Sequence, residues 1–295
     1  MSNTAIAILM TCHNRREKTT RCLNSLRDSV NELHGKKQAS AELHVFLVDD
    51  GSTDGTNEAV NGWSTSITYH SSLITLHLIA GDGNLYWARG MALAWREALK
   101  YERSANAPTS PFGFDYFLWL NDDVVLSSDA LEMLLSDRRA VREEGVVVGA
   151  CCDGSGQCSY GATDAKDHLV TPAGRPIKAD GWFTGNVVLV PHRVSDEVGI
   201  IDDSFTHARA DYDYAERLKV AGIPFYASSK FVGICTNDWK KKMSGRTLLE
   251  RIASLWHPGY SNLHDLWLIR SRYHGVCRAV VSCVHMIFIV LRGVK

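Results

Sequence analysis

The stretch Tyr116-Phe-Leu-Trp-Leu-Asn-Asp-Asp-Val-Val-Leu126 decides both the fold and the place of the chemistry. Its first five residues form an apolar run typical of a buried strand, and Asn121, Asp122 and Asp123 follow at the C-terminal end. In an open α/β sheet, ligands bind at that edge. Adjacent carboxylates repel each other unless a cation joins them, and Mg²⁺ or Mn²⁺, which also binds diphosphates, suits such oxygen ligands. A plain strand-end turn is the alternative, since Asn and Asp are common there.

Apolar runs and helix-like segments alternate on both sides of this strand. The pattern predicts strands over residues 4–10, 43–48, 73–79, 116–120, 146–150 and 187–190, and helices over 17–30, 53–63, 88–103 and 211–221. Such alternation favours a mostly parallel sheet with helices on both faces. We expect one α/β domain over residues 1–240 and a C-terminal helical extension over 241–295.

Composition excludes several classes of protein. The chain has 295 residues, of which 22% are charged and 45% hydrophobic, as in ordinary globular proteins. A formal net charge of −1 gives no basic field for nucleic acid. The eight cysteines show no paired spacing and no signal peptide precedes them, which favours reduced thiols in a cytoplasmic protein. Cys151, Cys152 and Cys158 are weak metal-ligand candidates, because no Cys/His pair follows at finger spacing.

The C-terminal region carries an uncharged run, Ala279–Leu291, between Arg278 and Arg292. Its length is well below the roughly 20 residues that span a bilayer. Two interpretations stay open: a buried terminal helix, or a helix at a membrane surface, for which basic flanks and an apolar body are suited.

Two further strands also end in polar loops. The second strand leads into Val48–Gly55, where Asp49 and Asp50 either cap the next helix or accept a hydrogen bond from a base or ribose. The first leads into Thr11–Arg15, where Asn14 can cap a helix and Arg15 can reach a phosphate.

The third strand leads into the glycine-rich segment Gly81–Met91. Its glycines let backbone approach a ligand, and the following helix start offers N–H groups and positive dipole. Tyr86 and Trp87 either stack on a ligand or pack in the core. Together the strand-end loops predict a crevice for a nucleotide diphosphate and a divalent metal.

In this order the motifs resemble the family-2 glycosyltransferases, most closely a rhamnosyltransferase-like branch. The resemblance covers about residues 4–235 and rests on Thr11–Arg15, Val48–Asp54, Gly83–Asn84, Leu120–Val124, Thr184–Pro191, Val198–Phe205 and Asp211–Arg217. It implies a GT-A fold (a Rossmann-like, mostly parallel sheet), an inverting reaction, and usually Mg²⁺ or Mn²⁺.

The resemblance also implies roles for individual residues. Asp211 falls on the catalytic base and Asp123 on the metal ligand. The nucleotide-sugar would contact Thr11, Asn14, Arg15, Asp49, Asp50, Gly83, Asn84, Arg89, Asp122 and Arg217. Trp182 and Phe183 would form an acceptor platform or part of the core.

Three positions depart from the family pattern. Asn121 stands where the first Asp of Asp-x-Asp is expected, and Ala210 replaces the Glu before Asp211. The segment Val232–Trp239 has no His, although a metal- or phosphate-binding His often occurs there. These departures weaken the prediction of a metal.

Inverting transfer needs a base that takes a proton from the acceptor hydroxyl. Asp211 lies at a predicted helix N-terminus, whose dipole should keep it ionised at neutral pH. The alternative for Asp211 is that it is an ordinary acid at a helix N-terminus. The alternative for Arg217 is a pair with Asp213 along the helix.

We therefore expect transfer of a sugar, with rhamnose the first candidate, from a dTDP- or UDP-linked donor to a saccharide or lipid-linked acceptor in surface-polysaccharide synthesis. The expected location is the cytoplasm, with contact to the membrane's inner face. One alternative is a nucleotidyltransferase, disfavoured because Thr11–Arg15 has no glycine. Another is a non-catalytic relative that binds nucleotide-sugars or glycans. A Rossmann dehydrogenase is disfavoured, since no Gly-x-Gly follows the first strand.

Overall fold

A ten-stranded mixed sheet organises the protein. The computed structural model describes residues 4–35, 41–68, 73–104, 113–142, 145–237, 247–258 and 262–292. Its strands are β1 Thr4–Cys12, β2 Ala41–Asp49, β3 Ile74–Ala80, β4 Tyr116–Leu120, β5 Val125–Leu126, β6 Val146–Cys152, β7 Cys158–Tyr160, β8 Ile177–Ala179, β9 Val187–Pro191 and β10 Phe225–Ile234.

Nine helices lie within those described ranges. They are α1 Arg16–Gly35, α2 Thr56–Thr68, α3 Tyr86–Glu102, α4 Ala130–Ala140, α5 His192–Val198, α6 Ala210–Val220, α7 Leu248–Ser254, α8 Leu263–His274 and α9 Val276–Arg292. None of these helices is long and apolar enough to cross a membrane.

The strand order is β3-β2-β1-β4-β9-β6-β10-β5, with β7 beside β6 and β8 beside β10. Strands β1 to β4 pair in parallel, which confirms the prediction for the first half of the chain. Strand β9 instead runs antiparallel to both β4 and β6. A strand buried on both faces has the same apolar pattern in either direction, so the sequence could not show this reversal.

Helices cover both faces of the sheet. Ile6 and Ile8 of β1 contribute to the core that also contains buried residues of α1, α2 and α4. Ala7 and Leu9 contribute to the opposite core, with α3, α5, α6 and part of α8. This alternation follows from the period of two in a strand, and it gives a three-layer architecture.

The elements that were not predicted from the sequence include α4, α5, β10 and the short strands β5 and β8. The apolar pattern of β10 is broken by Ser228, Ser229 and Lys230, and its register with β6 shifts on both sides of Phe231. The predicted domain boundary at residue 240 lies outside the described residues.

The first strands deliver their following loops to one edge of the sheet. Cys12 pairs with Asp49 at the ends of β1 and β2, and the Asp50 N–H donates to the Cys12 carbonyl oxygen at 2.9 Å. Strand β4 pairs with β1 in the same direction, through Leu9 opposite Trp119. The polar residues that follow these strands therefore meet at the carboxyl edge.

Candidate active site

Asp50 holds the loop of residues 81–86 in shape. Its side chain is buried, with Oδ1 accepting from the Gly83 N–H at 2.8 Å and Oδ2 from the Leu85 and Tyr86 N–H groups at 3.0 Å each. A Cβ on Gly81 would lie 2.7 Å from Asp50 Oδ1, so glycine is required for this close approach. The loop therefore wraps around one carboxylate and leads directly into α3.

Asn14 links the loops that follow β1 and β2. Its side-chain Oδ1 accepts from the Thr53 N–H at 2.7 Å, and its own N–H donates to Ser52 Oγ at 2.9 Å. The Ser52 N–H in turn donates to Asp49 Oδ1 at 3.0 Å. Asn14 adopts a left-handed φ of 50°, a conformation that Asn tolerates better than most residues. These contacts fix the two loops against each other.

Arg15 joins the two carboxylates that follow β4. Its Nη1 donates to Asp122 Oδ1 at 2.6 Å and to Asp123 Oδ2 at 3.2 Å. Burial raises the pKa of Asp122 to about 6, against the opposing effect of the Arg15 charge. On its other side, Asp123 Oδ1 lies 3.6 Å from the Cys235 thiol, whose pKa burial raises above its usual range. The cation required between adjacent carboxylates is thus supplied by the protein.

The Asn121 side chain is engaged elsewhere. Its Oδ1 accepts from Trp87 Nε1 at 2.7 Å, and its backbone N–H donates to the Asn186 carbonyl oxygen at 2.9 Å. The Trp87 ring covers Gly185, where a Cβ would lie 2.4 Å from Trp87 Cζ2. Asn121 therefore fixes Trp87 and, through it, the loop before β9.

Asp211 lies in the first turn of α6 and faces that loop. Its Oδ2 accepts from the Gly185 N–H at 3.1 Å, and Oδ1 accepts from the Tyr212 N–H at 3.0 Å. Burial outweighs these hydrogen bonds and raises the Asp211 pKa to about 6. Desolvation, and not the helix N-terminus, therefore sets the direction of the shift. A pKa near 6 still suits a general base at neutral pH.

Of the two aromatic residues predicted to contact an acceptor, Trp182 is partly buried and Phe183 lies in the core. The centroids of the Trp182 and Tyr212 rings are 4.0 Å apart, and Tyr212 follows Asp211 in sequence. Trp182 Nε1 donates to Asp167 Oδ1 at 2.7 Å. Phe183 is fully buried in the second core, against Trp119 and other rings. Phe183 therefore takes the core interpretation, and contact of Trp182 with an acceptor stays a prediction.

Asp265 of α8 holds a second loop, residues 206–208. This fully buried carboxylate accepts from the Thr206 N–H at 3.1 Å and from the His207 and Ala208 N–H groups at 3.2 Å each. The loop also meets α3, because the Trp87 N–H donates to His207 Nδ1 at 3.4 Å. Since residues 206–208 lead into α6, this C-terminal helix positions the segment that carries Asp211.

Asp213 makes a second connection between α6 and α8. It is fully buried and accepts from Arg217 Nε at 2.9 Å, Arg272 Nη1 at 2.6 Å and the Tyr273 hydroxyl at 2.9 Å. Arg217 also donates to the Val198 and Ile200 carbonyl oxygens. The Arg217 guanidinium therefore forms the expected pair with Asp213 along the helix. Nucleotide binding by Arg217 stays a prediction.

Comparison with known proteins identifies the family. Residues 7–193, more than half of the chain, match the model described as Glycosyl transferase family 2. The chain belongs to this family. It is a family-2 glycosyltransferase, and the match covers most of the candidate site except α6 and the C-terminal helices.

Two solved structures share the fold of this family-2 glycosyltransferase. The mannosyltransferase PcManGT from Pyrobaculum calidifontis, solved with GDP-Man and Mn²⁺, has a TM-score of 0.55 and 15% identity, covering 99% of this chain and 73% of its own. S. aureus TarS, residues 1–349, has a TM-score of 0.53 and 11% identity, covering 92% and 72%. A search of curated proteins gives no match. These similarities show the GT-A fold.

The structure brings most of the glycosyltransferase's predicted donor-binding residues to one sheet edge. Thr11, Asn14, Arg15, Asp49, Asp50, Gly83, Asn84 and Asp122 all lie at the ends of β1 to β4 or on the loops after them. Arg89 lies on α3, where its Nε donates to the Asp203 carbonyl oxygen at 3.3 Å. Their contacts with a donor stay predictions.

The residues near Asp123 do not fit the predicted divalent metal in this arrangement. Asp122 and Asp123 bind Arg15, and the Asn121 oxygen accepts from Trp87. Cys235 and not a His follows β10. Within the described ranges, no group of three or more His, Cys, Asp or Glu side chains could hold a metal ion.

Sequence reasoning missed Gly185 and Asp265 as site residues. Gly185 was noted only within a family motif, since a backbone N–H leaves no sequence signal. Asp265 follows Asn262 in a helix-start pattern, and Asn262 Oδ1 does accept from the Asp265 N–H at 2.7 Å. That local pattern could locate the helix start but not the contact with a loop 57 to 59 residues away.

Proposed function

We propose that this family-2 glycosyltransferase transfers a sugar with inversion from a nucleoside-diphosphate donor to an acceptor hydroxyl, with Asp211 as the general base. The observation that carries the proposal is the setting of Asp211. Its carboxylate lies at the Gly185 N–H, beside the Trp182–Tyr212 ring pair, with a pKa of about 6. With this pKa the carboxylate is mostly ionised at neutral pH, even though it is poorly solvated, and can therefore accept a proton.

The reaction forms one bond and breaks one at the anomeric carbon. The acceptor oxygen bonds to that carbon while the bond to the diphosphate oxygen breaks on the opposite face, and the diphosphate leaves with the electron pair. The acceptor proton passes to an Asp211 carboxylate oxygen. Assistance of this kind contributes about 10²–10⁴-fold to a rate.

We propose that the donor binds at the carboxyl edge of β1 to β4. The 81–86 loop offers a glycine-rich backbone at the start of α3, and Arg15 supplies a guanidinium beside Asp122. Such groups suit a diphosphate. UDP and dTDP are the proposed nucleotides and rhamnose the first candidate sugar, both from family resemblance. GDP must be included in a test, because a structural neighbour was solved with GDP-Man.

The acceptor is proposed to be a saccharide or a lipid-linked saccharide used in surface-polysaccharide assembly. Helix α9 supports the lipid-linked choice, because much of its apolar surface is exposed. At about 100° per residue, one side of this helix collects all of its exposed large apolar side chains except Ile289. They are Val276, Val280, Val281, Val284, Phe288 and Leu291.

Charge indicates what would cover this apolar side. Residues 276–292 contain Arg278 and Arg292 but no acidic residue. Helices with an apolar face and basic edges lie in the interface of membranes that carry anionic lipid. We propose such a peripheral contact at the inner face of the membrane, around residues 279–291.

The membrane contact can be tested by sedimentation with lipid vesicles that contain or lack an anionic lipid. The protein should bind the anionic vesicles, and Val284→Asp with Phe288→Glu should abolish binding. Val220→Glu is the matched control, since Val220 is 82% exposed but lies on α6. Equal binding of both variants, or none by the unchanged protein, would contradict the proposal.

The transfer reaction is tested by incubating purified protein with UDP-, dTDP- and GDP-sugars and saccharide or lipid-linked acceptors, with free nucleoside diphosphate as the readout. Release that depends on both acceptor and Asp211 supports the proposal. Nucleotide binding without release for any acceptor would favour a non-catalytic relative. Formation of a nucleotide-sugar from a nucleoside triphosphate and a sugar phosphate would favour a nucleotidyltransferase.

A further inference from the structure

The carboxylate pair after β4 already has a cation, which comes from the β1–α1 loop. Arg15 Nη1 lies 2.6 Å from Asp122 Oδ1 and 3.2 Å from Asp123 Oδ2. With both carboxylates ionised, these three side chains sum to one negative charge. A divalent ion at the same oxygens would lie close to the guanidinium and would be repelled by it.

The neighbouring groups leave a divalent ion with few further ligands. The Asn121 oxygen accepts a 2.7 Å hydrogen bond from Trp87, and the thiol of Cys235 faces Asp123 Oδ1 at 3.6 Å. Sulfur is a soft ligand and suits Mg²⁺ or Mn²⁺ less well than oxygen does. Hard ions such as Mg²⁺ need several well-placed oxygen ligands.

Arg15 has the properties that a diphosphate-binding cation needs. Its side chain is 33% exposed, while that of its partner Asp122 is 5% exposed, so the guanidinium lies between the buried carboxylate and solvent. Both carboxylate contacts use Nη1, and a guanidinium carries five N–H donors in a planar fork. Such a fork matches two oxygens of a phosphate.

We propose that Arg15, and not a divalent metal, binds the donor's diphosphate and stabilises the charge that develops when it leaves. Asp122 and Asp123 then orient the guanidinium. This inference rests on the proposed function, because it assigns the cation of the same donor site. It also explains together why Asn121 replaces a carboxylate and Cys235 follows β10 where a His is expected.

The test is calorimetric titration with UDP, dTDP and GDP, each in the presence of a chelator and of added Mn²⁺. For whichever nucleotide binds, we expect Kd values that agree within about twofold in the two conditions. Arg15→Gln should weaken binding by about tenfold or more, because a charged hydrogen-bonding pair is lost. Arg15→Lys should recover part of that loss, since the charge remains but the fork does not.

Arg21→Gln is the matched control. It removes the same charge from an exposed position on α1, the helix that follows Arg15, and should leave Kd unchanged. Thermal unfolding of each variant shows whether it is folded. A second measurement needs no variant. The electron paramagnetic resonance spectrum of Mn²⁺ recorded with the unchanged protein and nucleotide together should match the spectrum recorded with the nucleotide alone.

Binding that disappears in chelator and returns with Mn²⁺ would overturn the inference, restore Asp123 as the predicted metal ligand and leave the proposed function intact. A Kd that does not change in Arg15→Gln would overturn it as well. Failure of all three nucleotides to bind in either condition would remove the proposed donor site and, with it, this inference.

Discussion

Asp50 and Asp265 are two buried carboxylates in almost the same setting. Each accepts hydrogen bonds from three backbone N–H groups of one loop, Asp50 from the 81–86 loop and Asp265 from the 206–208 loop. The two loops meet at the start of α3. The first belongs to a motif that indicates nucleotide binding, whereas the second has no such motif. The same structural role can therefore be accompanied by a recognisable sequence motif or by none.

The comparison divides the site into two sides. The Asp50 loop borders the proposed donor site, and the Asp265 loop leads to Asp211, beside the proposed acceptor platform. If this division is correct, changes on the Asp211 side should alter turnover and leave nucleotide affinity unchanged, and changes on the Asp50 side should alter affinity.

The largest effect is expected from Asp211→Asn. Loss of the base should lower kcat by about 10²–10⁴-fold, with the nucleotide Kd unchanged. Because burial raises this pKa from 3.8 to about 6, the ionised group stabilises the fold less as pH rises through that range. The variant should therefore not melt below the unchanged protein at pH 7. Turnover and thermal unfolding are the measurements.

Glu216→Gln is the control for that substitution, since it also neutralises a carboxylate on α6, one that pairs with Lys219. It should leave kcat unchanged. A kcat in Asp211→Asn within a few-fold of the unchanged protein would exclude Asp211 as the base.

The next effect concerns Asp265. Removing its oxygens in Asp265→Ala leaves buried N–H groups without acceptors and should cost about 3 kcal/mol of unfolding free energy. Because the loop leads into α6, a displaced Asp211 should also lower kcat by about 10²-fold. Asp265→Asn keeps one oxygen acceptor and should recover part of both losses. Urea unfolding measures the free energy of unfolding, and steady-state kinetics measures kcat.

A purely structural role for Asp265 gives a different pattern. In that case stability would fall in Asp265→Ala while kcat per folded molecule stayed unchanged. Weakened nucleotide binding with normal kcat would break the division between the two sides of the site.

A third prediction follows from the Asp211 pKa. As pH falls through about 6, Asp211 becomes protonated and can no longer accept the acceptor's proton. The kcat should therefore fall by about tenfold per pH unit below the pKa. The pH profile of kcat at saturating donor and acceptor measures this limb.

Asp122 also titrates near pH 6, so it must be separated from Asp211. The acid limb should persist in Asp122→Asn, because that variant keeps the base. Disappearance of the limb in this variant would assign it to Asp122.

The fourth prediction is the donor-side counterpart. Asp50→Asn keeps one carbonyl oxygen for the loop N–H groups but loses charge, so the 81–86 loop should loosen by about 1 kcal/mol. We expect a nucleotide Kd about fivefold weaker and a nearly normal kcat at saturating donor. Calorimetric titration and kinetics separate the two quantities. An unchanged Kd would show that the loop does not support donor binding.

The sequence predicted the donor side of the molecule better than the other side. Strands β1 to β4 are largely apolar. Asp50 follows β2, and Asp122 and Asp123 lie just after β4, so strand position alone places these acids at one edge. The antiparallel direction of β9 left no signal of its own. The contact of Asp265 with the 206–208 loop was also unpredictable, because capping patterns report neighbours in sequence and not partners in space.

Contact geometry corrected the chemical interpretation too. The sequence showed that Asp122 and Asp123 need a cation, and family resemblance pointed to a metal. Only the structure shows that Arg15 reaches both carboxylates, because its position depends on how the loops after β1 and β4 meet. A charge requirement can be read from sequence, whereas the group that meets it depends on tertiary structure.

The smallest expected effect is the coupling between the two loops. The Trp87 N–H to His207 Nδ1 distance is 3.4 Å, and the Ala88 N–H lies 3.3 Å from the Thr206 carbonyl oxygen, so the contacts between the loops are long. The free energies of unfolding of Asp50→Asn and Asp265→Asn should therefore add in the double variant within about 0.5 kcal/mol. A coupling energy well above that value would mean that the loops form one cooperative unit. Donor binding would then help to order the acceptor side, and the kcat of Asp265→Asn should rise toward normal as donor concentration increases.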